Sequence, residues 1–245
     1  PSVAMDADGD FIVAWDGTAN GDNFYGIYAQ RYNAAGVAQG GEFRVNTYTT
    51  NTQRTPSLAL DADGDFVVAW ESLNQDGNGH GTYAQRYNAA GVAQGTEFRV
   101  NTYTTSDQRV PSVAIDADGD FVVAWQSYGD GGGNGVYVQR YNAVGVPQGA
   151  EFRANTYTSD GQRNPSVALD ADGDFVVAWE SRNQDGNFYG IYAQRYNAAG
   201  VAQGAEFRVN TYTTDGQFNA AVAIDADGDF VVAWDSGVSS GIGQD

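Results

Sequence analysis

A ten-residue segment, Asp-Ala-Asp-Gly-Asp-Phe-(Val/Ile)-Val-Ala-Trp, occurs five times in this chain of 245 residues. The five copies end at Trp15, Trp70, Trp125, Trp179 and Trp234, so the intervals between them are 55, 55, 54 and 55 residues. A period of this length is typical of propellers, solenoids and other arrays, in which each repeat buries its apolar surface against its neighbours. The repeat therefore constrains the fold much more strongly than the function.

The second repeat, residues 56–110, shows how one copy is expected to fold. It predicts four antiparallel strands, because runs of branched and aromatic residues alternate with turn residues such as Asp61-Ala-Asp-Gly64. The expected strands are 57–60, 65–70, 82–87 and 97–101. They make two hairpins, and in the next repeat Pro111 is expected to begin a strand, where it removes no ladder hydrogen bond.

Both faces of the second strand in each repeat are apolar. Phe66, Val68 and Trp70 alternate with Val67 and Ala69, so one face is bulky and the other is small. A sheet that is apolar on both faces must be covered on both, and these two faces can interlock. The pattern predicts an all-β fold, a β-propeller of four-stranded antiparallel blades, with a parallel β-solenoid as the alternative.

The whole chain, 1–245, is expected to form a single repeat domain. Its repeats are 1–55, 56–110, 111–164, 165–219 and a partial copy, 220–245. Five Trp hairpins and four Tyr-Asn hairpins amount to 18 strands, which is two fewer than five complete blades require. We expect a five-bladed ring with one blade incomplete or completed by residues beyond Asp245, and a ring completed by a second chain is the next alternative.

The composition excludes several classes of partner. The formal net charge is -19, with 31 acidic against 12 basic residues, which disfavours nucleic acids and anionic lipid surfaces. No apolar run approaches 18 residues, so membrane insertion is not expected. The chain has no Cys and therefore no disulfide framework. Acidic, Cys-free repeats rich in Gly and Asp indicate a bacterial protein that is secreted or lies on the cell surface.

The repeated Asp residues are the first candidates for chemistry. Dense oxygen ligands suit calcium, which would also offset the repulsion between neighbouring carboxylates. The alternative is ordinary turn chemistry, in which Asp hydrogen-bonds its own turn and Gly takes a positive φ. The candidate calcium ligands are Asp6, Asp8, Asp10, Asp61, Asp63, Asp65, Asp116, Asp118, Asp120, Asp170, Asp172, Asp174, Asp225, Asp227 and Asp229.

The loops after the Trp strands are the second candidates. They carry amides and carboxylates beside tyrosines, a combination that can hydrogen-bond a sugar and stack on its ring. The candidate glycan-binding residues are Asn74, Gln75, Asp76, Tyr128, Asn183, Gln184, Asp185 and Tyr189, and a looser version occurs at Asn20-Gly-Asp22. Solvated turns are the alternative interpretation of these loops.

The segments 61–70, Gln85-Arg-Tyr-Asn88 and Glu97-Phe-Arg-Val-Asn-Thr102 resemble the tandem repeats of large bacterial secreted and cell-surface proteins. This resemblance extends over the whole chain. The repeats are also distantly similar to the FG-GAP and VCBS propeller repeats, whose Asp-rich hairpin loops bind calcium. In this chain Gly64 precedes the third acid, Asp65, so the loop is shorter than the pattern of that family.

The sequence predicts no enzyme. It contains no Ser-His-Asp set, no His cluster for zinc and no phosphate-binding loop. Carboxylates are abundant, but a catalytic pair normally lies in one asymmetric cleft, whereas these acids recur in every repeat. The expected function is a non-catalytic secreted or surface module for adhesion or glycan binding, stabilised by calcium. The alternative is a structural unit that self-associates into a larger ring, filament or extracellular matrix.

Overall fold

The computed structural model describes residues 1–18, 23–129 and 133–237, and 18 strands in these ranges form five sheets, which we call blades 1 to 5. Blade 1 contains β1 (Ser2–Met5), β2 (Phe11–Gly17), β3 (Gly26–Tyr32) and β4 (Phe43–Arg44). Blade 2 contains β5 (Gln53–Leu60), β6 (Phe66–Leu73), β7 (His80–Tyr87) and β8 (Phe98–Arg99). Blade 3 contains β9 (Gln108–Ile115), β10 (Phe121–Ser127), β11 (Gly135–Tyr141) and β12 (Phe152–Arg153). Blade 4 contains β13 (Gln162–Leu169), β14 (Phe175–Arg182), β15 (Tyr189–Tyr196) and β16 (Phe207–Arg208), and blade 5 contains β17 (Gln217–Ile224) and β18 (Phe230–Ser236).

Within each blade the strands pair in sequence order. Blade 2, for example, has the order β5-β6-β7-β8, and every pair in it is antiparallel. The two hairpins expected of each repeat are therefore confirmed. The β-solenoid alternative is wrong, because the blades are separate antiparallel sheets rather than coils that pair in parallel.

The turn of the first hairpin is fixed by hydrogen bonds at both ends. In blade 2, Asp61 N donates to Asp65 O at 2.9 Å, and Gly64 N donates to Asp61 O at 3.3 Å. Gly64 has φ 85°, a conformation that a residue without Cβ adopts at little cost. The same arrangement in the other blades explains why Gly recurs at this position.

The first strand of blades 2 to 5 begins earlier than the sequence predicts and contains a β-bulge. In blade 3 the strand begins at Gln108, and the register shifts opposite Trp125. Val110, with φ 52°, and Pro111 lie in the bulge. The prediction that Pro111 begins the strand is therefore wrong, because the bulge gives a proline a place inside the strand without a ladder hydrogen bond.

The predicted interlocking of bulky and small faces is confirmed. Phe66, Val68 and Trp70 of blade 2 pack in one cluster with Ile12 and Ala14 of blade 1. The same combination recurs between blades 2 and 3 and between blades 3 and 4. Each contact buries large side chains completely, and burial of one such side chain stabilises a fold by about 1.5–3 kcal/mol.

A serine hydroxyl joins the first strands of successive blades. Val113 N of blade 3 donates to Ser57 Oγ of blade 2 at 3.1 Å, and Val167 N of blade 4 donates to Ser112 Oγ of blade 3 at the same distance. Equivalent bonds link blade 1 to blade 2 and blade 4 to blade 5. The blades are thus held together by polar as well as apolar contacts along their first strands.

The outer faces of the first and last blades are not covered. Val3 on the bulky face of blade 1 is 65% exposed, whereas its counterpart Leu58 is 6% exposed. Val231 on the small face of blade 5 is 70% exposed, whereas its counterpart Val67 is 2% exposed. One uncovered face is bulky and the other is small, and faces of these two kinds pack against each other between the inner blades.

The architecture is an all-β propeller of antiparallel blades built from the 55-residue repeat. Among the described residues, none forms a helix long and apolar enough to cross a membrane. The division of the chain into repeats 1–55, 56–110, 111–164, 165–219 and 220–245 stays a prediction, and residues 238–245 lie outside the described ranges.

Candidate functional site

The ends of the strands define two opposite surfaces. The Asp-turn surface carries the hairpin turns 6–10, 61–65, 116–120, 170–174 and 225–229. The loop surface carries the loops between the second and third strands and the links between blades. The candidate calcium ligands therefore lie on the first surface, and the candidate glycan-binding residues lie on the second.

On the Asp-turn surface, two of the three Asp residues in each turn of blades 1 to 4 accept hydrogen bonds from the backbone. In blade 2, Asp61 Oδ1 accepts hydrogen bonds from Asp63 N at 3.0 Å and Asp65 N at 2.9 Å. Asp65 Oδ1 accepts a hydrogen bond from Ala89 N at 2.8 Å. The turn chemistry that the sequence suggested as an alternative to calcium is thus present in the structure.

Between neighbouring blades, the Asp turns border four similar grooves. The groove between blades 3 and 4 is lined by Asp116, Asp118 and Arg140 of one blade and by Asp172 of the next. Arg140 Nη1 donates to Ala198 O in the following blade, as Arg31 Nη1 does to Ala90 O at 2.6 Å. Arg31 and Arg140 thus hydrogen-bond the backbone of the next blade on this surface.

The electrostatics of these grooves favour a cation without creating a formed site. Partial burial raises the pKa of the Asp61 and Asp116 carboxyl groups, and repulsion from the other acids of the same turn adds to this effect. Among the residues that the structure describes, no three His, Cys, Asp or Glu side chains are grouped closely enough to hold a metal ion. Calcium binding by the fifteen Asp residues stays a prediction.

On the loop surface, the predicted amides and carboxylates face their own blade. Gln75 Nε2 donates to Glu97 Oε1 and Gln184 Nε2 donates to Glu206 Oε1, both at 2.6 Å. Backbone bonds of 2.6 Å from Asn74 N to Gly79 O and from Asn183 N to Phe188 O close the two loops. These contacts give Gln75 and Gln184 a structural role, in addition to the glycan binding that stays a prediction for the set.

The remaining predicted residues occupy different environments. Asp76 Oδ1 and Asp185 Oδ1 accept backbone hydrogen bonds at 3.3 Å within their own loops. Tyr128 N donates to Asp107 O of the preceding link at 2.9 Å. The ring of Tyr189 lies 3.8 Å from the guanidinium carbon of Arg163, close enough for a cation–π contact. The segment Asn20-Gly-Asp22 lies outside the described residues.

One position in each blade was not predicted from the sequence as functional. The residue after each repeated Trp lies on the opposite side of its strand from the bulky face, and in blades 2 to 5 it pairs with the residue next to the bulge of the first strand. These residues are Asp16, Glu71, Gln126, Glu180 and Asp235. Variation in the sequence could have indicated this position, because the residue that follows the otherwise constant motif is Asp, Glu, Gln, Glu and Asp in the five repeats.

Glu180 is the most strongly held member of this set. It is only 1% exposed, and its Oε2 accepts a hydrogen bond of 2.7 Å from Arg163 Nε. Its Oε1 accepts bonds of 2.9 Å from Asn164 Nδ2 and 2.8 Å from Asn219 N. A buried carboxylate needs this kind of complete hydrogen bonding and an opposite charge.

A second carboxylate lies close to Glu180. Asn219 donates through its backbone N to Glu180 and through Nδ2 to Asp235 Oδ2, each at 2.8 Å. The backbone and the side chain of one asparagine therefore connect the two carboxylates. Asp235 lies in blade 5, which has two described strands and an uncovered face, and it is exposed, whereas Glu180 is buried.

The backbone around the pair is strained. Asn164 and Asn219, which contact Glu180, have φ 50° and 54°, values in the left-handed region. Thr55 and Val110 have similar φ values at the equivalent bulges of blades 2 and 3, so the conformation belongs to the bulge, and asparagine adopts it more easily than a branched residue does. The residues at the bulge are therefore held in place by Glu180 and in turn orient Asp235.

Comparison with known proteins identifies the fold but no family. No protein-family model matches the sequence, and no curated protein matches it either. An α-L-arabinanase from Penicillium chrysogenum, solved with arabinobiose, has a similar structure with a TM-score of 0.61 and 15% identity, over 95% of this chain and 73% of that one. A thermostable family-43 glycoside hydrolase gives a TM-score of 0.54 and 11% identity, over 96% of this chain and 82% of that one. The Hadza microbial sialidase Hz136 gives 0.60 and 12%, over 91% of this chain and 49% of the sialidase.

These comparisons correct two predictions made from the sequence. The predictions of a non-catalytic adhesion or glycan-binding module, with a structural assembly unit as the alternative, and of no enzyme are contradicted, because the proteins of similar structure are glycoside hydrolases. The similarity to FG-GAP and VCBS repeats is not shown. At 11–15% identity the likeness is one of fold alone.

Proposed function

We propose that this chain hydrolyses glycosidic bonds on its loop surface, with Asp235 as the acid that meets the substrate and the buried Glu180 as the charge that supports it. The observation that carries this proposal is the single residue Asn219, which hydrogen-bonds both carboxylates at 2.8 Å. Hydrolysis of glycosides uses carboxyl groups close to the scissile bond, and a carboxyl group that exchanges a proton there must be accessible. The likeness in fold to an arabinanase and to a family-43 glycoside hydrolase supports the proposal.

The loop surface suits catalysis better than the Asp-turn surface because it is asymmetric. The acids of the Asp turns recur in every blade, and in blades 1 to 4 two of the three in each turn already accept backbone hydrogen bonds. On the loop surface, blade 3 carries Gln126 where blade 4 carries Glu180. A single reaction site is more easily formed where the repeats differ from one another.

The two acids have different roles in this proposal. Asp235 is exposed, so it exchanges a proton with the glycosidic oxygen and with water. Glu180 is buried beside Arg163 and supplies a fixed negative charge, which favours the positive charge that develops on the sugar ring. Asn219 and Arg163 are positioning residues, because they act through the carboxylates.

The proposal includes a secreted or cell-surface location, where polymeric glycans are accessible, and the acidic, Cys-free composition supports this. Association between copies stays a prediction. It would use the uncovered faces of blades 1 and 5, and light scattering over a range of concentrations tests it.

The experiment that tests the proposed function is the release of reducing ends from arabinan, xylan and a sialylated glycan. We expect the unaltered protein to hydrolyse at least one of them and Asp235→Asn to lose roughly 100-fold or more in rate. Asp172→Asn, which alters an exposed acid of the Asp-turn surface, is the matched control and should retain the rate. No hydrolysis of any glycan, or full activity of Asp235→Asn, would contradict the proposal.

A further inference from the structure

One loop position departs from the repeat in a way that the fold does not require. It is occupied by Gly79 in blade 2 and Gly133 in blade 3, with φ 63° and 123°, where the absence of a Cβ makes a positive φ easy to adopt. In blade 4 the same position is Phe188, and in blade 1 it is Phe24. A glycine is replaced by a large aromatic residue in two blades.

The backbone of Phe188 is strained, and its side chain is too exposed for burial to compensate. Its φ of 38° lies in the left-handed region, which is unfavourable for a bulky residue, and its side chain is 58% exposed. A strained and exposed aromatic residue beside glycines at equivalent positions contributes nothing evident to folding. Such a combination is typical of a side chain retained for recognition of a ligand.

Phe188 also lies next to the proposed acids. Its neighbour Tyr189 stacks under Arg163 at 3.8 Å, and Arg163 bonds Glu180 at 2.7 Å. The ring of Phe218 lies 5.7 Å from that of Tyr189. Aromatic residues therefore extend from the buried carboxylate to the exposed ring of Phe188. In blade 1, Arg54 lies 4.7 Å from the ring of Tyr25 in a similar pair, beside the exposed Phe24.

We propose that Phe188 is a platform on which a sugar ring of a neutral polysaccharide stacks, with Phe24 as a second platform at blade 1. The proposal rests on the proposed hydrolysis, whose substrate class it specifies. An aromatic ring presents a flat apolar surface that fits the C–H face of a sugar. A net charge of -19 repels sialylated, sulfated or uronate-rich chains, so the substrate is a neutral glycan of the arabinan or xylan type.

The test measures binding separately from turnover. Affinity electrophoresis of the Asp235→Asn protein in gels with arabinan or xylan gives the dissociation constant, and Phe188→Gly is added to this background. We expect binding to weaken at least tenfold, while the melting temperature stays the same or rises, because Gly relieves the backbone strain. Phe188→Trp, which retains an aromatic surface, should preserve the affinity, and Phe24→Gly should show a smaller loss.

The outcomes distinguish the platform from the hydrolytic function. Unchanged binding of Phe188→Gly, or no binding of either polysaccharide by its parent, would overturn the platform. An unchanged KM of Phe188→Gly, in a protein that hydrolyses these glycans, would overturn the platform and leave the hydrolysis intact. Conversely, loss of binding in Phe188→Gly, for a protein that binds the polysaccharides but cleaves none, would support the platform and contradict the hydrolysis.

Discussion

Replacement of Glu180 by Gln tests the structural role of the buried carboxylate. The change keeps the size of the side chain, and Gln126, which is buried at the equivalent position of blade 3, shows that an amide fits there. Gln can still accept from Asn164 and Asn219, but its amide group then faces the Arg163 guanidinium, and two donors are placed together. The charge-assisted bond of 2.7 Å is lost.

The expected cost is about 2–3 kcal/mol. A hydrogen bond to a charged group contributes about 1.5–3 kcal/mol, and breaking a fully buried ion pair costs about 3–5 kcal/mol. The side chain of Arg163 is 35% exposed, so water can hydrate the released guanidinium and the lower range applies. Glu71→Gln is the matched control, since Glu71 accepts a longer bond of 3.3 Å from Val110 N. Its expected cost is below about 1 kcal/mol.

Urea unfolding of the two variants and the parent protein measures these differences. We expect the midpoint of Glu180→Gln to fall clearly below that of Glu71→Gln, with similar m-values, so that the change reflects stability rather than compactness. Equal midpoints for the two variants would refute the reasoning, because they would mean that the contact with Arg163 adds no stability.

Three further predictions concern the blades and the Asp turns. Ser112→Ala should lower the free energy of unfolding by about 1–2 kcal/mol, because Val167 N loses its acceptor, whereas Ser159→Ala, at an exposed serine, should cost less than about 0.5 kcal/mol. Equal effects of the two substitutions in chemical denaturation would argue against the hydrogen bond that links the blades. Burial raises the pKa of Tyr83 to about 12 and raises the pKa values of Tyr87, Tyr141 and Tyr196 as well, so the stability linked to these neutral phenol groups should be fully present below pH 10 and be lost as the pH rises through the folded-state pKa values. Tyrosinate absorbance with an ordinary pKa near 10 in a folded protein would contradict this. Calcium should raise the melting temperature and a chelator should lower it if the Asp turns bind the ion, and an identical midpoint in both would remove the calcium prediction.

The regular part of the fold could be predicted from the sequence. Strict repetition of Phe66, Val68 and Trp70 with small residues between them is enough to predict sheets that interlock, because this pattern depends only on strand geometry. The bulges were not predictable, since Thr55 and Val110 have positive φ in spite of their branched side chains. Tertiary contacts between blades override local preference at these positions.

The candidate site was harder to predict because its residues are distant in the sequence. Asn219 and Glu180 belong to different repeats, and nothing in either repeat indicates that a backbone N–H of blade 5 approaches a carboxylate of blade 4. The residues that every blade shares, such as the Asp turns, serve the common fold. The positions that differ between blades, such as Glu180 against Gln126, carry more information about function.

A crystal structure of the Asp235→Asn protein soaked with arabinan or xylan oligosaccharides would show where a glycan binds. We expect a sugar on the loop surface, with one ring against Phe188 and a glycosidic oxygen within hydrogen-bond distance of residue 235. A sugar bound in the grooves of the Asp-turn surface, or no bound sugar at saturating concentration, would contradict it.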